Sequence, residues 1–390
     1  MTRAYLFAVF DLNDYNYLKM PWRIIMEIIP PLSLMMPEST FYILTDTKPV
    51  LKVKRILEKN SNVKIISLNA RVLRYPYRGL LQAIMILKKQ LNIETLVVFT
   101  GINFFMWIKI AKLLCLKVLV LVFLTPIYTI EELALITAKS IPRLFRYGTF
   151  SDFLDFVKLH YENVFVRLIL LLSRKAELLG EQRTHLIVMH DNIYNLLTKL
   201  QLRVYKAVPK LIYVKKKPKQ KYFRANKMPR IAYFGPLILA RGYDIVVELS
   251  GNIPYTITLF SRTEFAHDFP KKFSRSNLNI IKKLFNSFEE IVQVAENYDL
   301  ILLPFRFVLS DIPLVVLELA CSGSLVVTTP YSHIPKFSGN LLLLDINQLE
   351  DTDKIIKLAD FANRIPNKYF HTISWEELVN LLDRVLRSEE

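Results

Sequence analysis

The stretch that decides the fold is Tyr298-Asp-Leu-Ile-Leu-Leu-Pro-Phe-Arg-Phe-Val-Leu-Ser-Asp-Ile-Pro-Leu-Val-Val-Leu-Glu-Leu-Ala-Cys-Ser-Gly-Ser-Leu-Val-Val-Thr-Thr329. Leu300 to Pro304 is a short apolar run that ends in a breaker, which predicts a buried strand. Pro313 is tolerated in a first helical turn, so Leu314 to Cys321 predicts a helix, and Leu325 to Thr329 predicts a second strand. A strand, a helix and a strand in about thirty residues imply a parallel sheet with a right-handed crossover.

A polar turn follows the first of these strands. Ligands of parallel sheets bind at the carboxyl ends of the strands, and amides at a helix start attract anions. The candidate ligand contacts in this turn are therefore Arg306, Ser310, Asp311, Ile312, Pro313 and Leu314. Arg306 is a candidate phosphate contact. Asp311 also fits a helix cap, and Ser310 fits either a cap or a hydroxyl donor to phosphate.

The same alternation of strands and helices runs on both sides of a basic segment. It begins with the strand Ala4 to Phe10, includes the Val- and Leu-rich strand Lys117 to Leu124, and restarts at Ile231. A strand of nearly pure Val and Leu is typical of a parallel sheet covered on both faces. The pattern predicts an α/β fold of two doubly wound, Rossmann-like domains. The expected segments are an N-terminal domain over 1–213 with a helical insertion at 130–180, a basic linker at 214–230, a C-terminal domain over 231–365 and a final segment, 366–390.

Composition limits the class of protein. The 390 residues are too many for one core, and 52% hydrophobic with 22% charged residues exclude a disordered chain. The net charge of +17 attracts anions such as nucleotide-sugars, lipid phosphates, anionic membranes or nucleic acid. Only two cysteines occur, Cys115 and Cys321, far apart in the chain. They imply no disulfide framework, so a reducing, cytoplasmic location is expected.

Several functional classes lack their sequence signals. The apolar start of the chain is interrupted by Asp11 and Asp14, and no small-residue cleavage site follows, so a first core strand is expected instead of a signal peptide. The most apolar run, Val118 to Ile130, is shorter than the roughly 20 residues of a membrane-spanning helix. No Cys or His cluster has metal-ligand spacing, and Asp351-Thr-Asp353 is interpreted as a helix cap. Phosphate loops and nucleophile elbows of the common kinds are also missing.

The stretch from Tyr298 to Thr329 resembles the donor-site segment of the glycosyl transferases group 1 family, whose fold is GT-B. The residues in register with the family pattern are Pro304, Pro313, Leu314, Glu318, Gly323, Val326 and Val327. Glu318 matches the second of two family glutamates, and the resemblance implies that it holds the ribose hydroxyls of a nucleotide. Ser310 stands where the first glutamate is expected, with Asp311 next to it.

Two further stretches are similar to family motifs. Ile231 to Glu248 looks like the family's strand-loop-helix, with Gly235 and Gly242 matching, Arg241 in place of a phosphate-binding lysine and Pro236 in place of an arginine. Ser261 and Arg262 end the next strand, Tyr255 to Phe260, at the same sheet edge, where the family usually has glycine. Phe370 to Glu376 resembles the Ser-Trp helix start that closes many GT-B chains, with Ser374 as the cap. The resemblance implies that this last segment packs back on the N-terminal domain.

The acceptor side is expected in the N-terminal domain. Asp11 and Asn13 follow the first strand, where the family has a glycine-rich acceptor loop. The family histidine after the strand at 117–124 has no counterpart, since Phe123, Leu124 and Thr125 occupy that place. His190, which ends a later strand, is either a replacement or a structural histidine.

Taken together, the resemblance implies a glycosyltransferase that moves a sugar from a nucleotide-sugar donor to a glycan, lipid or protein acceptor. It implies retention of configuration, no metal and no cofactor besides the nucleotide-sugar co-substrate, with Arg241, Asp311 and Glu318 as catalytic residues facing an interdomain cleft. The alternatives are an inactive GT-B-fold nucleotide-sugar-binding or scaffold protein and, on charge alone, a nucleic-acid-binding protein. Nucleic acid is not expected, because the aromatic-basic motifs of such modules are missing.

Two segments could contact a membrane surface instead of having a purely structural role. The basic segment Lys215 to Arg230 is either a solvated hinge or an electrostatic contact with an anionic membrane surface, peripheral on its inner face. Val164 to Leu172, flanked by Arg167 and Arg174-Lys175, is either an interfacial helix or core packing.

Overall fold

The structure is a computed structural model. It describes residues 3–9, 20–45, 51–68, 78–100, 104–123, 127–173, 183–199, 203–214, 228–261, 277–283, 285, 287–308, 313–330, 340–364 and 370–388. Two compact units make up the chain. Unit 1 consists of Met1–Ile127, Glu162–Pro209 and Trp375–Glu390, and unit 2 consists of Tyr128–Tyr161 and Lys210–Ser374.

Unit 1 is built on a parallel sheet of seven strands in the order β3-β2-β1-β4-β5-β6-β7. The strands are β1 (Ala4–Ala8), β2 (Thr40–Thr45), β3 (Val63–Ser67), β4 (Ile93–Thr100), β5 (Lys117–Val122), β6 (Thr184–Val188) and β7 (Arg203–Lys206). The helices are α1 (Met20–Met35), α2 (Leu51–Leu57), α3 (Arg78–Leu91), α4 (Phe104–Leu113), the C-terminal part of α6 (Phe150–Ser173), α7 (Asp191–Thr198) and, at the chain end, α13 (Glu376–Arg387). All residues of β1 and β6 are buried, as expected for central strands covered on both faces.

Helix α1 runs through two prolines. The sequence predicts that this helix stops at Pro30 and Pro31, because proline lacks the amide and crowds the preceding turn. The structure shows that prediction to be wrong, since both prolines lie inside the helix. Ile25 and Ile29 before them and Leu32 after them are fully buried. Burial of apolar side chains on both sides of the prolines offsets the cost of the interruption.

Unit 2 is built on a parallel sheet of six strands in the order β11-β10-β9-β12-β13-β14, together with an antiparallel pair of β8 and β15. The strands are β8 (Lys210–Tyr213), β9 (Ile231–Phe234), β10 (Ile257–Ser261), β11 (Leu278–Lys282), β12 (Leu300–Leu303), β13 (Leu325–Thr328), β14 (Leu341–Leu343) and β15 (His371–Ser374). The helices are α5 (Ile130–Tyr147), the N-terminal part of α6, α8 (Tyr243–Ser250), α9 (Phe288–Ala295), α10 (Leu314–Ala320), α11 (Ile346–Leu349) and α12 (Thr352–Arg364).

The strand order of unit 2 contains a topological switch point. The chain winds from β9 through β10 to β11 on one side of β9, and then from β12 through β13 to β14 on the other side. The loops that leave the carboxyl ends of β9 and β12 therefore diverge, and open α/β sheets bind their ligands in the crevice formed there. Unit 1 has the equivalent arrangement at β1 and β4. The predicted pair of doubly wound α/β domains is confirmed.

The division of the chain differs from the predicted one in three places, one of which is the predicted final segment 366–390, whose strand β15 belongs to unit 2. Residues 128–161, predicted as part of an insertion in the N-terminal domain, belong to unit 2. Polar contacts hold this segment to unit 2. Arg143 forms ion pairs with Glu248 and Glu350, and Tyr147 donates a 2.6 Å hydrogen bond to Glu248. Unit 2 also takes in Lys210, ahead of the predicted linker, because β8 pairs with β15. Most of that linker, 215–227, lies outside the described residues.

The last helix, α13, packs within unit 1. Leu378 and Leu382 on its apolar face are buried, and Lys117 Nζ donates a 2.6 Å hydrogen bond to the carbonyl oxygen of Val385. The residue that precedes the helix is Trp375, whose side chain makes no capping hydrogen bond. Ser374, the predicted cap, ends β15 and lies one residue before Trp375. Within the described part of the chain, every helix is too short or too polar to cross a bilayer.

Candidate functional site

The loop that follows β9 is held in a defined shape. Gly235 has a φ of 155°, and its amide donates to the carbonyl oxygen of Phe260 on the neighbouring strand. The hydroxyl of Tyr233 donates a 2.8 Å hydrogen bond to the carbonyl oxygen of Pro236. A short 3-10 turn, Leu239–Arg241, then leads into α8 through Gly242. Pro236 and Gly235 thus shape the loop with their backbone.

Gly242 brings the β9 loop against the end of β12. Its φ is 67°, in the left-handed region, and a Cβ at this position would lie 1.7 Å from the carbonyl oxygen of Pro304. Only glycine fits such an approach. The amides of Arg306 and Phe307 both donate to the carbonyl oxygen of Ala240, at 3.0 and 3.3 Å. The two loops at the switch point of unit 2 are therefore bonded to each other.

Arg241 lies where these two loops meet. The centre of its guanidinium group is 4.7 Å from the centroid of the Phe305 ring. A cation stacked on an aromatic face gains electrostatic attraction and loses rotational freedom. Arginine also presents a planar fork of donors that matches phosphate oxygens. Arg241 therefore follows β9 with its guanidinium group against the Phe305 ring.

Glu318 lies on the helix that follows β12. It is the fifth residue of α10, and it is only 3% exposed. Burial, with a smaller contribution from the Glu318 carboxyl, raises the pKa of the Cys321 thiol to about 12. Cys321 is therefore a neutral, packed thiol. A carboxyl group is costly to bury without polar partners, so Glu318 is an unusual residue for the apolar helix that carries it. Arg241 and Glu318 follow the two strands that flank the switch point.

The structure contradicts the prediction that Arg306 contacts donor phosphate. Its side chain is 1% exposed, and Nε bonds both Asp244 oxygens at 3.0 and 3.1 Å, while Nη2 lies 2.5 Å from Oδ2. Nη2 also lies 3.4 Å from Glu350. A buried guanidinium must be paired, and Asp244 supplies the pairing. Arg306 therefore ties the β12 loop to α8.

His190 has a structural position in unit 1. Its Nδ1 accepts a 3.2 Å hydrogen bond from the amide of Asn192, so it caps the start of α7. Burial lowers its pKa to about 4, which keeps the ring neutral. The adjacent Asp191 is paired with Lys206 at 2.5 Å. These contacts favour the structural interpretation over the acceptor contact.

The other predicted residues divide into described and undescribed positions. Ser261 ends β10 and is buried, next to β9 in the sheet. Pro313 precedes α10, and Leu314 is its first residue. Asp11, Asn13, Arg262, Ser310, Asp311 and Ile312 lie outside the described residues. No group of three His, Cys, Asp or Glu side chains suited to a metal ion occurs among the positions that the structure describes.

Sequence reasoning missed the residues before α5 and in α6 that hold the two loops. Asp152 Oδ1 accepts a 2.7 Å hydrogen bond from the amide of Leu239, and the Tyr128 hydroxyl accepts a 2.8 Å bond from the amide of Val308. Phe156 contacts Phe307 edge to face, with centroids 6.0 Å apart. Thr-x-x-Asp at 149–152 is a capping-box signal for a helix start, but nothing in it indicates the distant amide of Leu239.

Comparison with known proteins identifies the fold. No known protein family and no curated protein sequence matches the chain. Solved structures do match. A glycosyltransferase from Rickettsia africae is 11% identical, with 100% of both chains covered and a TM-score of 0.60. HepE from Anabaena, solved in complex with UDP-glucose, is 11% identical over 98% of each chain, with a TM-score of 0.57.

A third match is the lipopolysaccharide outer core galactosyltransferase WaaB, at 9% identity over 100% of both chains and a TM-score of 0.57. At such low identity the likeness establishes architecture. The matches extend over the whole chain, and the chain has the GT-B fold that the resemblance predicts.

Proposed function

We propose that this protein is a glycosyltransferase that transfers a sugar from a nucleotide-sugar donor, with unit 2 as the donor-binding domain. The observation that carries the proposal is the junction at the switch point of unit 2. There Gly242 allows the β9 loop to touch Pro304, and Arg241 and the helix of Glu318 follow the two strands beside the crevice. The GT-B fold, shared with the UDP-glucose complex of HepE, supports the same assignment.

Arg241 is assigned to the diphosphate of the donor. Cleavage of the donor leaves negative charge on the diphosphate, and a preorganised cation lowers the energy of that transition state. The contact of Arg241 with Phe305 limits the rotamers of the guanidinium before the donor arrives. Less reorganisation is then needed when charge develops on the leaving group.

Glu318 is assigned to the nucleoside. A carboxylate accepts hydrogen bonds from two neighbouring hydroxyl groups, which suits a ribose, and such bonds are strong where water is excluded. Its 3% exposure supports this role, because little water competes at the carboxyl. Glu318 would therefore orient the donor, while Arg241 stabilises the negative charge on the leaving diphosphate.

Retention of configuration, independence of metal and a glycan, lipid or protein acceptor belong to the proposal through the sequence resemblance. The registers of Pro313, Leu314 and Glu318 support them, as do the matched glycines Gly235 and Gly242. Arg241 replaces the family's lysine with the charge kept.

The proposal is tested by donor binding and sugar transfer. The full-length protein is titrated with nucleoside diphosphates by calorimetry and assayed for hydrolysis or transfer with the matching nucleotide-sugars. Arg241→Ala should lower turnover by about 10²-fold or more, as loss of a charge-stabilising donor does. Glu318→Ala should weaken nucleotide affinity by about ten-fold, the value of one strong hydrogen bond.

Matched controls are Arg364→Ala and Glu289→Ala, which remove the same charges from exposed helix positions. Both should keep wild-type affinity and turnover. Nucleotide binding without turnover on any donor would overturn the enzymatic part of the proposal. Unchanged affinity in Arg241→Ala and Glu318→Ala would overturn the site.

A further inference from the structure

Helix α6 exposes a row of apolar side chains, here called the α6 stripe: Phe150, Phe153, Leu154, Val157 and Tyr161. Each is exposed, with Phe150 at 77% and Phe153 at 53%. Spacings of three and four residues place these side chains on one face of the helix. Val164 and Leu168 continue the spacing, and both are exposed as well.

The opposite face of the same helix is already packed. Asp152, Phe156 and Leu159 are buried. A surface helix of a soluble protein normally carries polar residues opposite its buried face. About half or more of each side chain in the α6 stripe remains exposed, which leaves apolar surface that a partner outside the fold can cover.

The end of α5, close to α6 in sequence, also exposes an aromatic side chain. Phe145 is 90% exposed, and it precedes the turn at Gly148 and Thr149 that leads into α6. Two of the most exposed aromatic side chains of unit 2, Phe145 and Phe150, therefore lie on either side of one short turn. Exposed apolar patches of this kind mark interaction sites.

The charges beside the stripe are basic. Helical spacing places Lys158 at one margin of the stripe and Arg167 at the other, whereas Asp155 and Glu162 lie further round, toward the buried face. The whole chain carries a net charge of +17. An anionic partner with an apolar layer fits this pattern.

We propose that the α6 stripe docks on the surface of an anionic lipid bilayer. The helix lies in the plane of the interface, with Phe150, Phe153 and Leu154 in the boundary between head groups and acyl chains. Lys158 and Arg167 then face the lipid phosphates. A second copy of the chain is a poorer partner, because two chains of charge +17 repel each other. This inference does not depend on the proposed enzymatic function.

The test is sedimentation of the full-length protein with vesicles. Vesicles of equal parts phosphatidylglycerol and phosphatidylcholine should bind the protein, and binding should weaken in pure phosphatidylcholine and at high salt. The double variant Phe153→Ser and Leu154→Ser should lower the partition coefficient by about ten-fold or more, since it removes two large apolar groups from the interface. The matched control is Leu113→Ser with Phe361→Ser, which removes two apolar side chains exposed at 71% and 59% elsewhere.

The charge part of the proposal has its own pair of variants. Lys158→Glu should lower binding by about five-fold or more, as expected for a basic group at an anionic surface. Lys357→Glu makes the same charge change at an exposed position of α12 and should stay close to wild type. Circular dichroism checks that each variant is folded, and Tyr161→Ser serves as a second stripe variant if the double variant unfolds.

Three results would overturn the proposal. The first is that the wild-type protein fails to sediment with anionic vesicles. The second is that the control pair of variants loses as much binding as the stripe pair. The third is that sedimentation velocity shows self-association that the stripe variant abolishes and that persists when vesicles are added. This result would assign the stripe to a second copy of the chain.

Discussion

Arg306 and Asp244, 62 residues apart in the chain, form a buried ion pair with three hydrogen bonds. The pair joins the loop after β12 to α8, which follows the β9 loop. Arg306 also donates its backbone amide to the carbonyl oxygen of Ala240. One residue thus fixes the spacing of the two loops that carry the candidate donor site.

The first prediction concerns this pair. Asp244→Ala leaves the Arg306 charge buried without its main partner, so we expect a loss of about 3–5 kcal/mol in the free energy of unfolding of unit 2. Urea denaturation measures it. Because an apolar pair of similar volume removes both charges, Asp244→Leu combined with Arg306→Met should recover much of the loss. A single variant as stable as the wild type would show that the pair contributes little.

The second prediction concerns Gly242. Gly242→Ala forces a side chain into a left-handed backbone and against the carbonyl oxygen of Pro304. The backbone conformation alone costs about 1–3 kcal/mol, and the loops must separate to admit the methyl group. Thermal melting should show lower stability and calorimetry weaker nucleotide binding. Gly251→Ala is the control, because Gly251 ends α8 with ordinary space around its Cβ position.

The third prediction concerns Asp152, which acts on the site through the Leu239 amide. Asp152→Ala removes that hydrogen bond and the acceptor for the Thr149 amide. We expect about 1–3 kcal/mol lower stability, together with a higher dissociation constant for nucleotide. Asp152→Asn keeps one acceptor oxygen for the Leu239 amide, so it should restore most of the nucleotide affinity. Its NH2 group cannot accept from the Thr149 amide, so stability should recover only in part. If Asp152→Ala lowers stability but leaves nucleotide affinity unchanged, Asp152 has no positioning role.

The fourth prediction concerns acid stability of unit 1. Burial lowers the pKa of His185 to about 4, and Lys117 and Arg203 add to the shift. The folded state keeps this ring neutral, whereas the unfolded state binds a proton below its ordinary pKa near 6.5. The stability contribution is therefore complete above pH 6.5 and is lost as the pH falls toward 4.

At pH 5 the expected loss from His185 is about 2 kcal/mol, measured by urea denaturation at a series of pH values. His185→Phe should reduce the loss of unfolding free energy at acid pH by about half. The other half remains because His190 has a similarly low pKa and contributes in the same way. An unchanged slope in His185→Phe would contradict the prediction. Nε2 of His185 has no hydrogen-bond partner in the described part of the chain, and Nδ1 lies 3.2 Å from the Tyr205 hydroxyl. Phenylalanine removes that one hydrogen bond at every pH, so the test is the slope of stability against pH and not the stability itself.

The sequence by itself determined the elements around the candidate donor site. The apolar runs at β12 and β13, the breaker Pro304 and the helix between them are local features, so their order predicted a parallel βαβ unit that the structure contains. Gly242 was identified through the resemblance to the family's strand-loop-helix, and the structure gives the reason for a glycine there, since a Cβ would meet the carbonyl oxygen of Pro304. Local chemistry sufficed wherever neighbours along the chain set the conformation.

Only the tertiary structure decided which charged and polar groups pair with each other. Arg306 was predicted as a phosphate contact because it follows β12 at the carboxyl end of the sheet, where ligands bind, and only folding brings Asp244 to it. Likewise the contacts of Arg143 with Glu248 place residues 128–161 in unit 2, and the amide that Asp152 holds lies 87 residues away. A buried charge or amide must find a partner, but the partner is chosen by packing across the fold, and spacing along the chain carries no record of it.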